Sequence, residues 1–417
     1  MAPESPKIKI AIAGGGIGGL CLAAGLVKKP HIDVHIYESV PEYKDVGAGL
    51  ALHMNAIKAM DLIGPEVKKA YFSKALFMGE EEQEMATEVI LAEGPHMGEL
   101  VAELGRAKGR KTVSRADLLD GLMELIPKEN ISFGMRLASI EERAENPKVH
   151  LTFKDGLQVQ VDCLIGADGI HSGTRSYLLG EDHPATQPKN HDGWQIYRTM
   201  VTVEEAKKHI NEKWTRTVPI LLGPRGHINC IPLNKGTRLS AGVAVRGAKF
   251  SVDGSTPPLR PEIYESYSED ARRIVNMVAK DTSASWSAGD HDHAPYYHKG
   301  HVAMMGDAAH ASMPFAGNGA AQAIEDAAVL DFLFSRVTDG EQIEKAFAAY
   351  DTVRRPRSQK VVDLARQFGR VYAYAEDGMH EDPVRMKKFF AGAAAFTNNA
   401  DLQAQNDEAM RIFENSL

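Results

Sequence analysis

The chain has 417 residues, of which 43% are apolar and 25% charged, with a net charge of -8. Acids and bases are interspersed, so no nucleic-acid footprint appears, and the proportions suit a soluble globular protein with more than one core. Three cysteines, Cys21, Cys163 and Cys230, are too few and too odd in number for a disulfide framework and fit a reducing, cytoplasmic compartment.

The first predicted element is a short apolar strand through Ile8, Ile10 and Ile12, followed by Gly14-Gly15-Gly16-Ile17-Gly18-Gly19 and a small-residue helix from Leu20 to Lys28. A second strand, Val34 to Tyr37, ends on Glu38. This order is that of a dinucleotide-binding βαβ unit. Gly14 permits the tight turn, Gly16 lets a pyrophosphate approach the backbone, and Gly19 lets the helix pack closely. Gly18 belongs to the same run. The helix start offers free N–H groups and partial positive charge to phosphates. Glu38 is placed to accept from a ribose hydroxyl and would repel a 2′-phosphate, which favours FAD or NAD over NADP. The lysines before the apolar run to Val27 mimic a signal peptide or a membrane span. Glycines with individual uses in the fingerprint argue against both, and no stable membrane association is expected.

A glycine loop, Asp45 to Gly49, leads to a helix near Asn55 to Met60. Residues 73–104 read as an excursion of short apolar runs among glutamates. Ser114 then caps an amphipathic helix carrying Leu118, Leu119, Leu122 and Leu125. Strands follow at Ile131 to Phe133, Val149 to Phe153 and Val159 to Val161, the last two joined by an Asp155-Gly156 turn. Cys163 to Gly166 is a buried strand running into Ala167-Asp168-Gly169. From Trp194 to about Trp286 the pattern is strand-rich. Val302 to Met305 returns as a strand ending at Gly306-Asp307, and helices follow from Ile324 to Val337 and beyond Ile343. His291, His293 and His298 lie in a loop rich in Asp, Pro and Tyr, and no metal site is expected.

Three motifs together resemble the FAD-dependent aromatic hydroxylases of the salicylate hydroxylase and para-hydroxybenzoate hydroxylase type. They are the glycine fingerprint, Asp168-Gly169-Ile170-His171-Ser172-Gly173-Thr174-Arg175, and Gly306-Asp307-Ala308-Ala309-His310 with Pro314, Gly317, Gly319 and Glu325-Asp326-Ala327. The resemblance implies an α/β fold: a Rossmann-like FAD-binding domain with a doubly wound parallel sheet, a mainly β substrate domain and C-terminal helices. Residues 1–72, 105–185 and 287–360 would form the FAD domain, 73–104 and 186–286 the substrate domain, and 361–417 the helical end.

It also implies roles for particular residues. Asp307 would bind the ribityl chain. Pro314, Gly317, Gly319 and Ala320 would bring a helix start to the flavin pyrimidine edge. Arg115 would contact the diphosphate, and Asp168 the phosphate region, its loop held by an ion pair to Arg175; a capping or loop-bracing role for both is the competing reading. Gly47 and Gly49 would pass near the flavin ring. On the substrate side, Arg198 would grip an anionic or phenolate oxygen, with Tyr197 beside it. His53 and Asn55 would line the pocket, and the residues themselves leave His227 either a base near neutral pH or a satisfied sheet histidine. Ile231 stands before Pro232 where relatives acting on salicylate-like acids often carry a tyrosine, a departure that puts ordinary benzoates in question. The expected chemistry is hydroxylation of a small aromatic substrate with molecular oxygen through a flavin hydroperoxide. NADH or NADPH would visit transiently, since only one GxGxxG is present. A flavin reductase on the same scaffold is the alternative, and a non-enzymatic scaffold of the dissociation-inhibitor kind is a distant one. Substrate identity and oligomeric state are not specified by these residues.

Overall fold

The structure is a computed structural model and describes residues 7–43, 49–77, 84–108, 111–145, 148–233, 236–249 and 256–417. The expected loop residues Asp45 to Ala48, Gly47 among them, lie outside these. No described helix is long and apolar enough to cross a membrane.

In chain order, β1 (Ile8–Ala13) runs through Gly14 to Gly16 into α1 (Ile17–Leu26), and β2 (Ile32–Tyr37) returns. Then come β3 (Gly49–Leu50), α2 (Met54–Ile63), α3 (Arg115–Met123) and β4 (Cys163–Gly166). A run of antiparallel strands follows: β5 (Gln195–Thr202), β6 (Gly226–Leu233), β7 (Arg238–Val245) and β8 (Ala284–Ser287). β9 (Val302–Met304) precedes α4 (Gly319–Phe334), α5 (Ile343–Tyr372), α6 (Pro383–Asn398) and α7 (Leu402–Ser416).

A six-stranded sheet has the order His298–Lys299, β9, β4, β1, β2, Ile131–Ser132. β1 pairs in parallel with β2 on one side and β4 on the other, and β9 pairs in parallel with β4. All residues of β4 and β9 are buried, as expected for parallel strands covered on both faces. Strand order reverses at β1. The crevice beyond the carboxyl ends of β1, β2, β4 and β9 is therefore a topological switch point, where ligands of open α/β sheets bind. Gly14, Glu38, Asp168 and Asp307 all stand just past those four ends.

The seven-stranded sheet has the order β8, β5, β7, β6, Val218–Gly223, Glu84–Leu91, Leu100–Lys108. The excursion after residue 73 supplies its last two strands. Side chains alternate between the two faces. One face, with Trp194, Ile196 and Ala244, packs on Phe315 and on the end of α5 through Phe368 and Tyr372. The other, with Tyr197, Cys230 and Val243, packs on Tyr264, Tyr267 and the helix Glu269–Val278.

Several expected helix limits move: the helix expected from Leu20 to Lys28 is α1 at Ile17–Leu26, and the one expected to reach Val337 ends at Phe334. α3 stops at Met123, leaving Leu125 beyond it, and α4 starts at Gly319, five residues before Ile324. In both cases the turn chemistry sets the end, and the apolar pattern overruns or falls short of it.

Candidate functional site

The crevice is lined by backbone held open through glycine. Gly14 has φ +110°, and a side chain there would collide with the Ala167 carbonyl that β4 delivers alongside. A Cβ on Gly19 would strike the Gly14 carbonyl, and one on Gly18 would come within 3.0 Å of Ala323 Cβ on α4. Gly16 is different, because nothing lies within 4 Å of where its side chain would point. It faces open space, at an α1 N-terminus that no side chain caps. Glu38 is buried at the end of β2. Its Oε2 accepts from Gly15 N at 2.7 Å, and its Oε1 accepts from Val40 N at 2.9 Å. The carboxylate therefore braces the glycine turn while keeping acceptor capacity for a hydroxyl. Tyr43 donates to the Gly15 carbonyl from the other side.

Asp307 follows β9 after Gly306, whose φ is +58°. Its carboxylate is open along the cleft yet deep within it. Desolvation lifts it above the ordinary value, and the nearby charges of His310 and Arg115 oppose that rise. Among the described residues it has no hydrogen-bond partner. The turn Pro314–Ala316, Gly317 at φ +59° and Asn318 then lead into α4, whose first N–H groups, those of Gly319 and Ala320 included, receive no side-chain cap. Asp307 Oδ1 lies 4.0 Å from the Cβ position of Gly319, so the free helix start and the free carboxylate share one cavity. Arg115 opens α3, and its field acts on both Tyr43 and Asp307, although it makes no ion pair among the described residues. Two uncapped helix N-termini, an unpaired arginine, an unpartnered carboxylate and a bare glycine surface fit a dinucleotide carrying a sugar chain and a diphosphate.

Asp168 and Arg175 both brace this part of the chain, without the expected ion pair between them. Asp168 accepts from Ser172 Oγ, from Thr174 N at 3.0 Å and from Thr174 Oγ1 at 3.2 Å, so it braces its own loop. Among the described residues Arg175 makes no ion pair with it. Fully buried, its guanidinium donates to the carbonyls of Ala185, Ala308, Ala309 and Asp292 at 2.6–2.9 Å. Burial lowers it to about 10. It thereby ties the Asp168 loop to the helical turn that carries Asp307.

On the sheet, Arg198 lies on the face turned toward Phe315 of the Pro314–Ala316 turn, in the same alternation as Ile196. Its guanidinium stacks over Trp286 at 4.8 Å, has no hydrogen-bond acceptor among the described residues, and is lowered by desolvation. His227 is on this face too, 5.2 Å from the Phe315 ring and 5.0 Å from Tyr372. Burial lowers it to about 3, which makes it too weak a base to take a phenol proton near neutral pH. Of the two readings of His227, this packed setting favours the sheet histidine. Tyr197 is a correction: it points to the opposite face, packs with Tyr264 and donates to the Pro257 carbonyl. A one-residue step along a strand reverses the face. His53 Nε2 stands 3.8 Å from the Cβ position of Gly317 and opens onto a separate cavity of about 560 Å³ with Ile57, Tyr71 and Phe72; Arg198 and His227 do not line that cavity. A Cβ on Gly49 would meet Leu233 at 2.9 Å and Ile231 at 3.1 Å, so β3 rests on the end of β6.

Residues 7–365 match the family model described as an FAD binding domain. The chain is 37% identical over 419 residues to 6-methylsalicylate 1-monooxygenase of Aspergillus terreus, covering 98% of this chain and 93% of that one. It is 31% identical to a salicylate hydroxylase of Pseudomonas putida, covering 98% and 95%. A solved salicylate hydroxylase substrate complex superposes with TM-score 0.82 at 28% identity, over 97% of this chain and 98% of that one.

The chain belongs to the FAD-dependent aromatic hydroxylases of the salicylate hydroxylase type. In this hydroxylase, sequence reasoning missed how the side chains behind the cleft described above are joined. Asp326, fully buried, accepts from Gly306 N at 2.8 Å, His310 Nε2 at 2.6 Å and Arg354 Nε at 2.8 Å. Glu325 accepts from Arg354 at 2.6 Å, from Arg357 at 2.7 Å and 2.9 Å, and from Asn55 Nδ2 at 2.8 Å. Asn55 also donates to Asn318, the residue before α4, at 3.1 Å, so it supports the flavin turn from behind and does not line a substrate pocket. The pattern Glu325-Asp326 signalled a motif, but its arginine partner 28 and 29 residues on carried no mark.

Proposed function

We propose that this hydroxylase inserts one oxygen atom from molecular oxygen into an aromatic acid of the ortho-hydroxybenzoate class, with NADH or NADPH as transient reductant. The observation that carries the reading is Arg198: a half-buried guanidinium on the flavin-facing side of the sheet, without a carboxylate or carbonyl partner. Such a group favours an anion that presents two oxygens to its planar fork. The named activities of the relatives, on salicylate and 6-methylsalicylate, supply that anion as an aromatic carboxylate.

Within this reading Gly14, Gly16, Gly18 and Gly19 with Glu38 hold the adenosine and diphosphate end of FAD, with Arg115 against the diphosphate and Asp307 on the ribityl chain. The uncapped N–H groups after Pro314 and Gly317, at Gly319 and Ala320, hold negative charge at the ring edge. FAD, when bound, supplies the redox chemistry and the activation of oxygen. The protein's own residues orient and shelter. Arg198 fixes the carboxylate and hence the ring. Phe315, Ile231 and the neutral His227 give that space walls poor in water. Asp168 acts through its loop. A boundary between FAD and substrate domains near residues 73–104 and 186–286 follows the two large sheets, and a cytoplasmic setting follows from the sparse cysteines.

The test is a panel of phenols and aromatic acids scored for acceleration of NAD(P)H consumption, with mass analysis of products. Stimulation by ortho-hydroxy acids, with a product one oxygen heavier or one in which oxygen replaces the carboxylate, supports the reading. Consumption indifferent to every aromatic acid supports instead a flavin reductase on this scaffold.

A further inference from the structure

On β6, His227 touches Phe315 of the flavin turn, and Ile231 touches Gly49 of β3, the second flavin-side support. Asn229 stands between them with the same facing, since alternate residues share a face. It therefore looks into the gap between the two supports. Its row across the sheet is Arg198 on β5, Gly242 on β7 and Asn229 on β6, register partners in turn. Gly242 brings no side chain, and a Cβ there would lie 2.5 Å from Asn229 Oδ1. The amide thus leans over the glycine, about one strand spacing of 4.8 Å from the Arg198 backbone. Among the described residues, neither end of that amide has a hydrogen-bond partner.

Resting on the aromatic-acid reading above, we infer that Asn229 selects the substrate by binding the ring hydroxyl next to the carboxylate that Arg198 holds, in a slot floored by Gly242. Across this row the two anchors stand two strands apart at the backbone, with only the bare Gly242 between them, so groups on adjacent ring carbons reach both when the Arg198 guanidinium turns from Trp286 toward Gly242. An amide suits the task, because its oxygen accepts from a neutral hydroxyl and its NH₂ donates to a phenolate. Gly242 provides the room, as any side chain there displaces the amide.

The experiment uses the FAD-loaded enzyme and the near-isosteric Asn229→Leu variant, with 2-hydroxybenzoate, 4-hydroxybenzoate and unsubstituted benzoate as probes. Binding is read by perturbation of the flavin spectrum and turnover by NAD(P)H loss. In Asn229→Leu the dissociation constant and KM for 2-hydroxybenzoate rise about tenfold, as for one lost hydrogen bond to a charged or strongly polar partner. Benzoate binding and the resting flavin spectrum stay unchanged, and the preference for the ortho over the para acid collapses. Gly242→Ala, which pushes the amide aside and leaves it in place chemically, gives the same loss of preference and guards against a folding defect in the first variant. An ortho preference intact in both variants overturns the inference while Arg198 retains its role. Wild-type enzyme that binds none of the three acids overturns the aromatic-acid reading and the inference with it.

Discussion

Among the described residues, neither Arg198 nor Asp307 has an ion-pair or hydrogen-bond partner for its charge. For Arg198, replacement by alanine removes the fork and leaves the fold of an antiparallel strand intact. The loss of a charge-assisted hydrogen-bonding group, about 1.5–3 kcal/mol, raises the KM for the aromatic acid roughly ten- to a hundredfold and leaves the bound flavin spectrum unaltered. Unaltered kinetics would remove Arg198 from the site. For Asp307, desolvation lifts the carboxyl above its ordinary value, so its ionised form costs stability in FAD-free protein at neutral pH and above. That cost fades as pH falls through the raised value. Asp307→Asn accordingly makes the FAD-stripped protein more heat-resistant than wild type at pH 8, with the gap narrowing toward pH 5, and weakens FAD binding. Thermal scans of the stripped proteins at both pH values, with flavin titrations, check each sign. Residue roles were unevenly legible. Glu38 and Asp307 end apolar runs that can be counted along the chain. Tyr197 and Arg198 sit in a strand buried on both faces, where alternation gives no sign of which neighbour looks inward.

At the scale of elements, the glycine turn and α4 depend on groups behind them. Burial works to lower the Arg354 guanidinium, but Glu325 and Asp326 outweigh it and hold it above its ordinary value. The same contacts hold both carboxylates below theirs against their own burial. The lowered carboxylates contribute stability that is present above the ordinary carboxylate range near 4 and is lost as pH falls through their depressed values. Arg354→Met takes one partner from each of two buried carboxylates, leaving Glu325 with Arg357 and Asp326 with His310, and costs about 3 kcal/mol at neutral pH. Mild acidification gives part of this back by protonating them, whereas wild type only loses stability on the same path. Denaturant midpoints across pH distinguish the two slopes. Gly14→Ala tests the turn: at φ +110° with the Ala167 carbonyl alongside, any side chain moves the backbone, and FAD affinity falls severely in a flavin titration. The turn could be read in the sequence because glycine spacing reports backbone shape directly. The Arg354 cluster could not, because a charged residue midway along a long helix reads as solvated until the helix is docked.

For the whole molecule, the order of β1, α1, β2, β4 and β9 was legible because each strand's apolar run ends in a glycine or an acid with its own use. The seven-stranded sheet was legible only as a strand-rich region. Its parallel pairing of Val218–Gly223 with Glu84–Leu91 joins residues more than a hundred positions apart, and no local pattern encodes that contact. Out of this pairing comes the face on which Arg198, Asn229 and Ile231 meet the flavin supports. The most direct measurement is turnover of 2-hydroxybenzoate by the FAD-loaded enzyme under isotopically heavy oxygen, with mass analysis of the aromatic product. The account predicts one heavy oxygen atom in each product molecule and NAD(P)H consumption that depends on the acid. Product carrying only light oxygen, or NAD(P)H consumption that yields hydrogen peroxide alone with every aromatic acid offered, would contradict it.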